Sequence, residues 1–329
     1  MRTRVVKIAD VEAVESAFAD AGRIIRNGGL VVFPTETVYG LGADATNAEA
    51  VEGIYRCKGR PSDNPLIVHV ASVEQAETIA RVSPETKKLM QRFWPGPLTL
   101  VLPVLQGVPS IVTAGLSTVA VRMPDHEVAL RLIRAADTPV AAPSANRSTR
   151  PSPTDAQAVL EDMDGLVAMV LDAGPTAVGV ESTVVDATGP CLALLRPGGV
   201  PVETIEEFRG APVAKDSCAL ENRSPGTRRR HYAPSIPVVL MDPGELWKNE
   251  PAILEAGDML AYMGMADPPG PVCRAVVFQS VGEYGRGLFQ TLRLFERCGA
   301  KAVLAELPGD PGLGRAIADR LRRASEKRR

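Results

Sequence analysis

Between Gly28 and Val70 the chain gathers groups that bind small polar ligands and neutralise anions. Thr35, Glu36, Thr37 and Tyr39 follow Pro34 in one dense polar turn, where Gly40 and Gly42 permit unusual backbone angles. Lys58, Arg60 and Asn64 then surround Gly59, and two cations and an amide beside a residue without a side chain suit phosphate oxygens at close range. His69 closes the stretch on an apolar run. Each group also has a structural reading. Lys58-Gly-Arg60 can be a solvated helix end, His69 a satisfied core histidine, and the threonines the partners of local turns. Their concentration in one stretch is what favours a site.

Further along, Thr118, Ala120 and Arg122 share a strand face by alternation, and an arginine on such a strand needs an anion, either a protein carboxylate or a ligand. The segment Val140 to Asn146 ends in Ala142, Ser144 and Asn146, small enough to let a ligand approach the backbone. Between prolines, Ser148, Thr149, Arg150 and Ser152 can bind phosphate or simply form turns. By strand alternation Glu181 and Thr183 face one way and Ser182 the other, so at most one of these groups should point into a cleft. Arg196 precedes Pro-Gly-Gly.

Two familiar phosphate motifs fail. Gly40-Leu-Gly-Ala-Asp-Ala45 has dinucleotide-fingerprint spacing, but its first glycine does not directly follow the strand, and no P-loop sequence occurs. The five cysteines are scattered without a C-x-x-C pair, and there are only three histidines, which argues against zinc, a disulfide framework or a tightly held transition metal. A net charge of -2 provides no global attraction to nucleic acid. No signal peptide or membrane span is expected, and a reducing cytoplasmic location follows as the default.

The elements that must position these groups alternate between short strands and helices. Strands are expected at 5–8, 30–33, 66–70, 98–104, 118–124, 140–146, 169–172, 180–186 and 192–196. Helices are expected at 11–26, after Thr46 and Ser72 as capping-box residues, after Ser83-Pro84, at 125–136 and after Thr154, another capping-box residue. This pattern predicts an α/β domain with a mixed twisted sheet over residues 1–208, and a polar, Pro-rich linker over 209–236. Residues 237–329 then form a smaller α/β domain, with strands at 237–241, 259–263, 275–278 and 302–307 and helices at 245–256, 281–298 and 314–326. The basic tail from Arg320 reads as a helix C-terminus, where cations are favoured.

The composite Phe33-Pro-Thr-Glu-Thr-Val-Tyr-Gly-Leu-Gly, Lys58-Gly-Arg-Pro-Ser-Asp-Asn-Pro-Leu and the His69 strand resembles the threonylcarbamoyl-AMP synthase family, also called YrdC-like. Thr-Val-Ala-Val-Arg-Met-Pro, Ala-Pro-Ser-Ala-Asn, Gly-Val-Glu-Ser-Thr-Val-Val-Asp and Leu-Leu-Arg-Pro-Gly extend the likeness, and Ser224-Pro-Gly with His231-Tyr-Ala-Pro234 resembles the two-domain form. The resemblance implies a YrdC-like twisted mixed sheet with a large concave cleft and a Rossmann-like C-terminal domain. It also implies a nucleotidyltransferase that makes L-threonylcarbamoyl-AMP and pyrophosphate from L-threonine, bicarbonate or CO2, and Mg-ATP, with Mg2+ as the cofactor accompanying ATP. A partner transferase complex would pass the group to adenosine 37 of tRNAs.

By the same resemblance Thr37, His69, Arg122, Ala142 and Ser182 hold threonine, Arg122 by a bidentate fork to its carboxylate. Arg60, Asn64, Thr118, Ser144, Asn146, Ser152 and Arg196 hold the nucleotide, Lys58 neutralises phosphate charge, and the His231-Tyr232 linker folds over the cleft as a lid. Lys58, Arg60 and Arg122 are the expected catalytic groups. Arg229 departs from the family, which often has an aromatic residue there, and this puts a stacking role at that position in doubt. An RNA-binding or ribosome-maturation module of the same fold is the rival reading. A related hydrogenase-maturation carbamoyl transferase would need C-x-x-C pairs, which the sequence lacks.

Overall fold

The computed structural model describes residues 2–9, 14–215, 231–243, 255–309 and 311–326. Arg229 lies outside them, as does nearly all of the helix expected at 245–256. In chain order the first part comprises β1 (Arg4–Lys7), α1 (Glu15–Arg26), β2 (Val31–Pro34), β3 (Tyr39–Asp44), α2 (Ala48–Lys58), β4 (Ile67–His69), α3 (Val73–Ile79), α4 (Pro84–Phe93) and β5 (Leu98–Pro103). It continues through α5 (Ser110–Thr113), β6 (Thr118–Arg122), α6 (Glu127–Ala136), β7 (Val140–Ala141), α7 (Ala156–Met163), β8 (Met169–Asp172), β9 (Thr183–Asp186), β10 (Ala193–Arg196), α8 (Val202–Arg209) and β11 (Ala214–Lys215). The second part comprises β12 (Val238–Met241), β13 (Leu260–Gly264), β14 (Arg274–Val277), α9 (Val281–Arg297), β15 (Ala302–Glu306) and α10 (Leu313–Ser325).

The first sheet has eleven strands in the order β1-β8-β2-β3-β7-β4-β6-β5-β9-β10-β11 and mixes parallel with antiparallel pairs. Both of its faces are buried. Val32 belongs to one apolar cluster, while Val31 and Phe33 belong to another with Phe18, Ile25 and Leu132 of α1 and α6, as the alternation of side chains along a strand requires. The smaller sheet, β12-β15-β13-β14, is wholly parallel. It too is covered on both faces, with Ala261 and Met263 in one cluster and Leu260 and Tyr262 in another. β11 pairs with β10, so the first sheet extends beyond residue 208 into the segment read as linker.

Three local expectations are corrected. Pro34 ends its strand, in register with Tyr39, but Gly40 and Gly42 lie within β3 and not in the turn. Their lack of a side chain serves close packing there: a Cβ on Gly42 would meet Phe33 at 2.8 Å and Val140 at 2.9 Å. Two helix caps fall one residue later than the capping-box pattern suggests. Asn47 Oδ1 accepts from the N–H groups of Glu49 and Ala50, and Asp155 Oδ1 accepts from that of Ala158, displacing Thr46 and Thr154. Ser72 and Ser83 cap as expected.

Candidate active site

The β2–β3 turn, the ends of β4 and β6, the 142–144 loop, the segment before β9 and residues 231–232 converge on one hollow of about 50 Å3. Arg122 lies at its floor, buried, because β6 pairs on both sides and its last residue meets His69 in register. Each of its three nitrogens has a protein neighbour, but Nη2 makes no hydrogen bond. Nε donates to Gly96 O at 3.2 Å, Nη1 donates to Thr37 Oγ1 at 3.0 Å, and Nη2 lies 2.5 Å from the Glu36 carboxylate. Of the two partners the sequence left open, the structure supplies the protein carboxylate. Thr37 is held in place by Thr35, whose Oγ1 is 2.8 Å from its own, and both hydroxyls face the hollow.

His69 shares its strand face with Ile67, and both line the hollow. Its ring is edge-on to Phe33 at 6.0 Å, and Nδ1 is buried with no hydrogen-bond partner. Burial first, and the Arg122 charge second, push its pKa down to about 3, so the imidazole is neutral.

The opposite wall is cationic. Arg60 lines the hollow, and its guanidinium is buttressed by the carbonyl of Pro65 at 2.9 Å and more loosely by that of Asn64. Arg196 donates to Ser182 O at 2.9 Å and to Ser182 Oγ at 3.2 Å, and Ser182 Oγ is 2.7 Å from Thr99 Oγ1. Gly198 allows this crossing, because a Cβ there would lie 2.2 Å from the Ser182 carbonyl carbon. β9 begins only at Thr183, so strand alternation does not govern the two residues before it, and Glu181 and Ser182 both line the hollow. This corrects the expectation that at most one would.

Ala142 and Ser144 border the hollow, but five expected residues do not line it. Lys58 stands behind the wall, its Nζ donating to the carbonyls of Ser144 and Asn146 at 2.5 and 2.6 Å. Burial, then the charge of Arg60, pushes its pKa down to about 7. The Asn146 side chain ties the loop together through the carbonyls of Arg147 and Arg150. Ser152 donates to Glu181 at 2.6 Å, Asn64 offers its carbonyl to Tyr55 at 3.0 Å, and Thr118 sits at the far end of β6 from Arg122.

His231 and Tyr232 cover the hollow, ring edge to ring at 4.0 Å. Burial and the charges of Arg60, Lys58, Arg196 and Arg320 hold His231 well below its ordinary pKa, which places it in the field an anion would occupy. Thr35, Glu36 and Glu181 belong to stretches the sequence marks as candidates, without a role of their own there, whereas Arg320 was missed altogether. Arg320 is no solvated helix end: its side chain is 0% exposed and pairs with Glu181. The first three sit beside residues that were singled out, but the role of Arg320 has no local signal.

Buried arginines, hydroxyls and a histidine converging on one hollow in a mixed α/β sheet define an enzyme site for a small polar substrate. Two family models cover almost the whole chain: Sua5_yciO_yrdC, described as "Telomere recombination", matches residues 23–198, and "Threonylcarbamoyl-AMP synthase, C-terminal domain" matches residues 200–326. The chain is 46% identical to a Pyrococcus abyssi threonylcarbamoyl-AMP synthase over 93% of each chain. It is 43% identical to the Bacillus subtilis synthase over 93% of this chain and 92% of that one. A crystal structure of P. abyssi Sua5 complexed with L-threonine superposes with a TM-score of 0.89 at 43% identity, covering 99% of this chain and 98% of that one. The chain belongs to the threonylcarbamoyl-AMP synthase family, in its two-domain form.

Proposed function

We infer that this enzyme makes L-threonylcarbamoyl-AMP and pyrophosphate from L-threonine, bicarbonate or CO2, and Mg-ATP, the first step of threonylcarbamoyladenosine formation at position 37 of tRNAs. The observation that carries this reading is the convergence of Thr37, His69, Arg122 and Ser182 with Arg60 and Arg196 on one hollow. Threonine's carboxylate meets Arg122, which is already oriented by Gly96 and Thr37. Its neutral amine adds to CO2 with loss of a proton, giving a carbamate. A carbamate oxygen attacks the α-phosphorus, the bond from that phosphorus to the bridging oxygen breaks, and pyrophosphate departs. Arg60, Arg196 and Lys58 stabilise the accumulating negative charge, so placement and electrostatics supply the catalysis.

Mg2+ arrives with the nucleotide. Among the described residues no group of three or more His, Cys, Asp or Glu side chains could hold a metal, and both Glu181, which lines the hollow, and Glu36, beside Arg122, are paired with arginines. This donor set fits a Mg2+ held chiefly by phosphate oxygens and water. A hollow of about 50 Å3 has room for water rather than for a nucleotide. His231 and Tyr232 therefore withdraw to admit ATP and return to exclude water from the carbamate. The described cysteines are free, which suits a reducing cytoplasm, and no described helix is long and apolar enough to cross a membrane. The product is an activated carbamoyl donor for a downstream transferase complex acting on tRNA. Incubation with Mg-ATP, bicarbonate and L-threonine, against L-serine and no-amino-acid controls, tests the reading by whether pyrophosphate release requires both threonine and bicarbonate.

A further inference from the structure

Glu181 is a carboxylate in the wall of a hollow that, on the reading above, receives a triphosphate. Left uncompensated, its charge repels that ligand. Its counter-charge comes from the last helix of the chain. Arg320 of α10 donates from Nε to Glu181 Oε2 at 2.8 Å, and its Nη1 donates to Pro197 O at 2.9 Å and Asp319 Oδ2 at 2.7 Å, which fixes the guanidinium plane. The guanidinium lies 5.2 Å from the ring centroid of Tyr232, and Phe289 of α9 stacks against that ring at 5.4 Å. Glu181 Oε1 accepts from Ser152 Oγ at 2.6 Å. A continuous set of contacts thus runs from the C-terminal helix to Glu181, Ser152 and Tyr232.

We propose that Arg320 is a positioning residue of the active site: it cancels the charge of Glu181 so that the wall accepts a triphosphate, and it sets the Ser152 hydroxyl and the Tyr232 ring. The groups around Glu181 are Arg320 and Asp319 from α10, Arg196 from β10, Lys58 from α2, Ser152 and Tyr232. Burial alone would raise the Glu181 carboxyl. The charges of Arg320 and then Arg196 overcome that and hold it below its ordinary value. Without Arg320 the remaining cations, needed for the nucleotide, would be the only charges left to balance Glu181. The proposal rests on the hollow being the ATP site.

The test uses full-length protein and pyrophosphate release, with KM measured separately for ATP and threonine and the unfolding midpoint recorded for each variant. Arg320→Met should raise KM for ATP about tenfold or more, the scale of one unbalanced charge, while KM for threonine stays within about twofold. Arg320→Lys should retain most of the ATP affinity. The decisive variant is the double Glu181→Gln, Arg320→Met, in which the glutamine oxygen still accepts from Ser152 but no charge is left unbalanced. It should recover KM for ATP to within about threefold of wild type, consistent with relief of a charge rather than of packing. Should Arg320→Met alone not fold, the double variant against Arg320→Lys carries the same comparison. Equal rises in both KM values, or a double variant no better than the single one, would make Arg320 a packing residue and overturn the proposal. A wild-type protein that releases no pyrophosphate would instead overturn the reading of the hollow on which it stands.

Discussion

Lys58 is a buried lysine whose ammonium rests on two carbonyls with a pKa pushed down to about 7. A triphosphate bound nearby would restore the charged form, so at pH 8 the largely neutral amine should take up a proton when Mg-ATP binds, and affinity should fall as pH rises above 7. Calorimetry in buffers of different ionisation enthalpy should show uptake approaching one proton at pH 8 and little at pH 6. Lys58→Met should abolish it, and an uptake unchanged by that substitution would exclude Lys58. His69 acts on stability with a definite sign. Its folded pKa of about 3 lies below the ordinary 6.5, so its contribution is complete above pH 6.5 and is lost as pH falls from there toward 3. The slope is at most about 1.4 kcal/mol per pH unit. His231 adds in the same direction. Urea unfolding at pH 7 and pH 5 should register the loss, and His69→Gln should flatten it. Thr37, His69 and Arg122 were legible in sequence because each stands out chemically against its strand or turn. Arg320 was not, because its partner Glu181 lies in another part of the fold and a terminal cluster of arginines looks the same whether solvated or buried.

At the scale of elements, the site depends on short strands ending at the right residue. Gly198 lets the chain after β10 cross the backbone of residues 181–183, and Gly198→Ala would place a methyl 2.2 Å from the Ser182 carbonyl carbon and 2.3 Å from Thr183 N. Since backbone cannot rotate away as a flexible side chain does, the substitution should cost about 1–3 kcal/mol or more and displace Ser182. A lowered thermal midpoint together with a raised KM for threonine would register both effects, and a wild-type midpoint would contradict the packing described. The α2 cap gives a smaller test. Asn47→Ala should cost about 1 kcal/mol, more than Thr46→Ala, if Asn47 is the cap. Element order and type were largely readable from periodicity and punctuation, but boundaries were less so. The threonines matched the capping-box spacing, yet the stronger caps Asn47 and Asp155 stood next to them. The glycines of β3 looked like a turn because sequence does not distinguish a glycine needed for its backbone angles from one needed for close packing.

For the whole molecule, the two sheets are joined by buried ion pairs. Arg293 of α9, its side chain 1% exposed, donates to Asp162 at 2.6 Å, Glu161 at 3.1 Å and Pro151 O at 2.7 Å. Arg293→Met leaves the buried Asp162 only the longer ion pair with Arg150, at 3.5 Å, and should destabilise the protein by about 1–3 kcal/mol, read as a lower urea midpoint. A change below about 0.5 kcal/mol would show that this contact does not couple the two parts. Residues 151–152 neighbour Arg293 on one side and Glu181 on the other, so the C-terminal part reaches the hollow by two routes. If one hollow joins a threonine site to a triphosphate site, pyrophosphate release from Mg-ATP has to answer to both. Release should require L-threonine and bicarbonate together and fall by orders of magnitude in folded Arg60→Ala. Release that proceeds equally without threonine, or is undiminished in that variant, would contradict it.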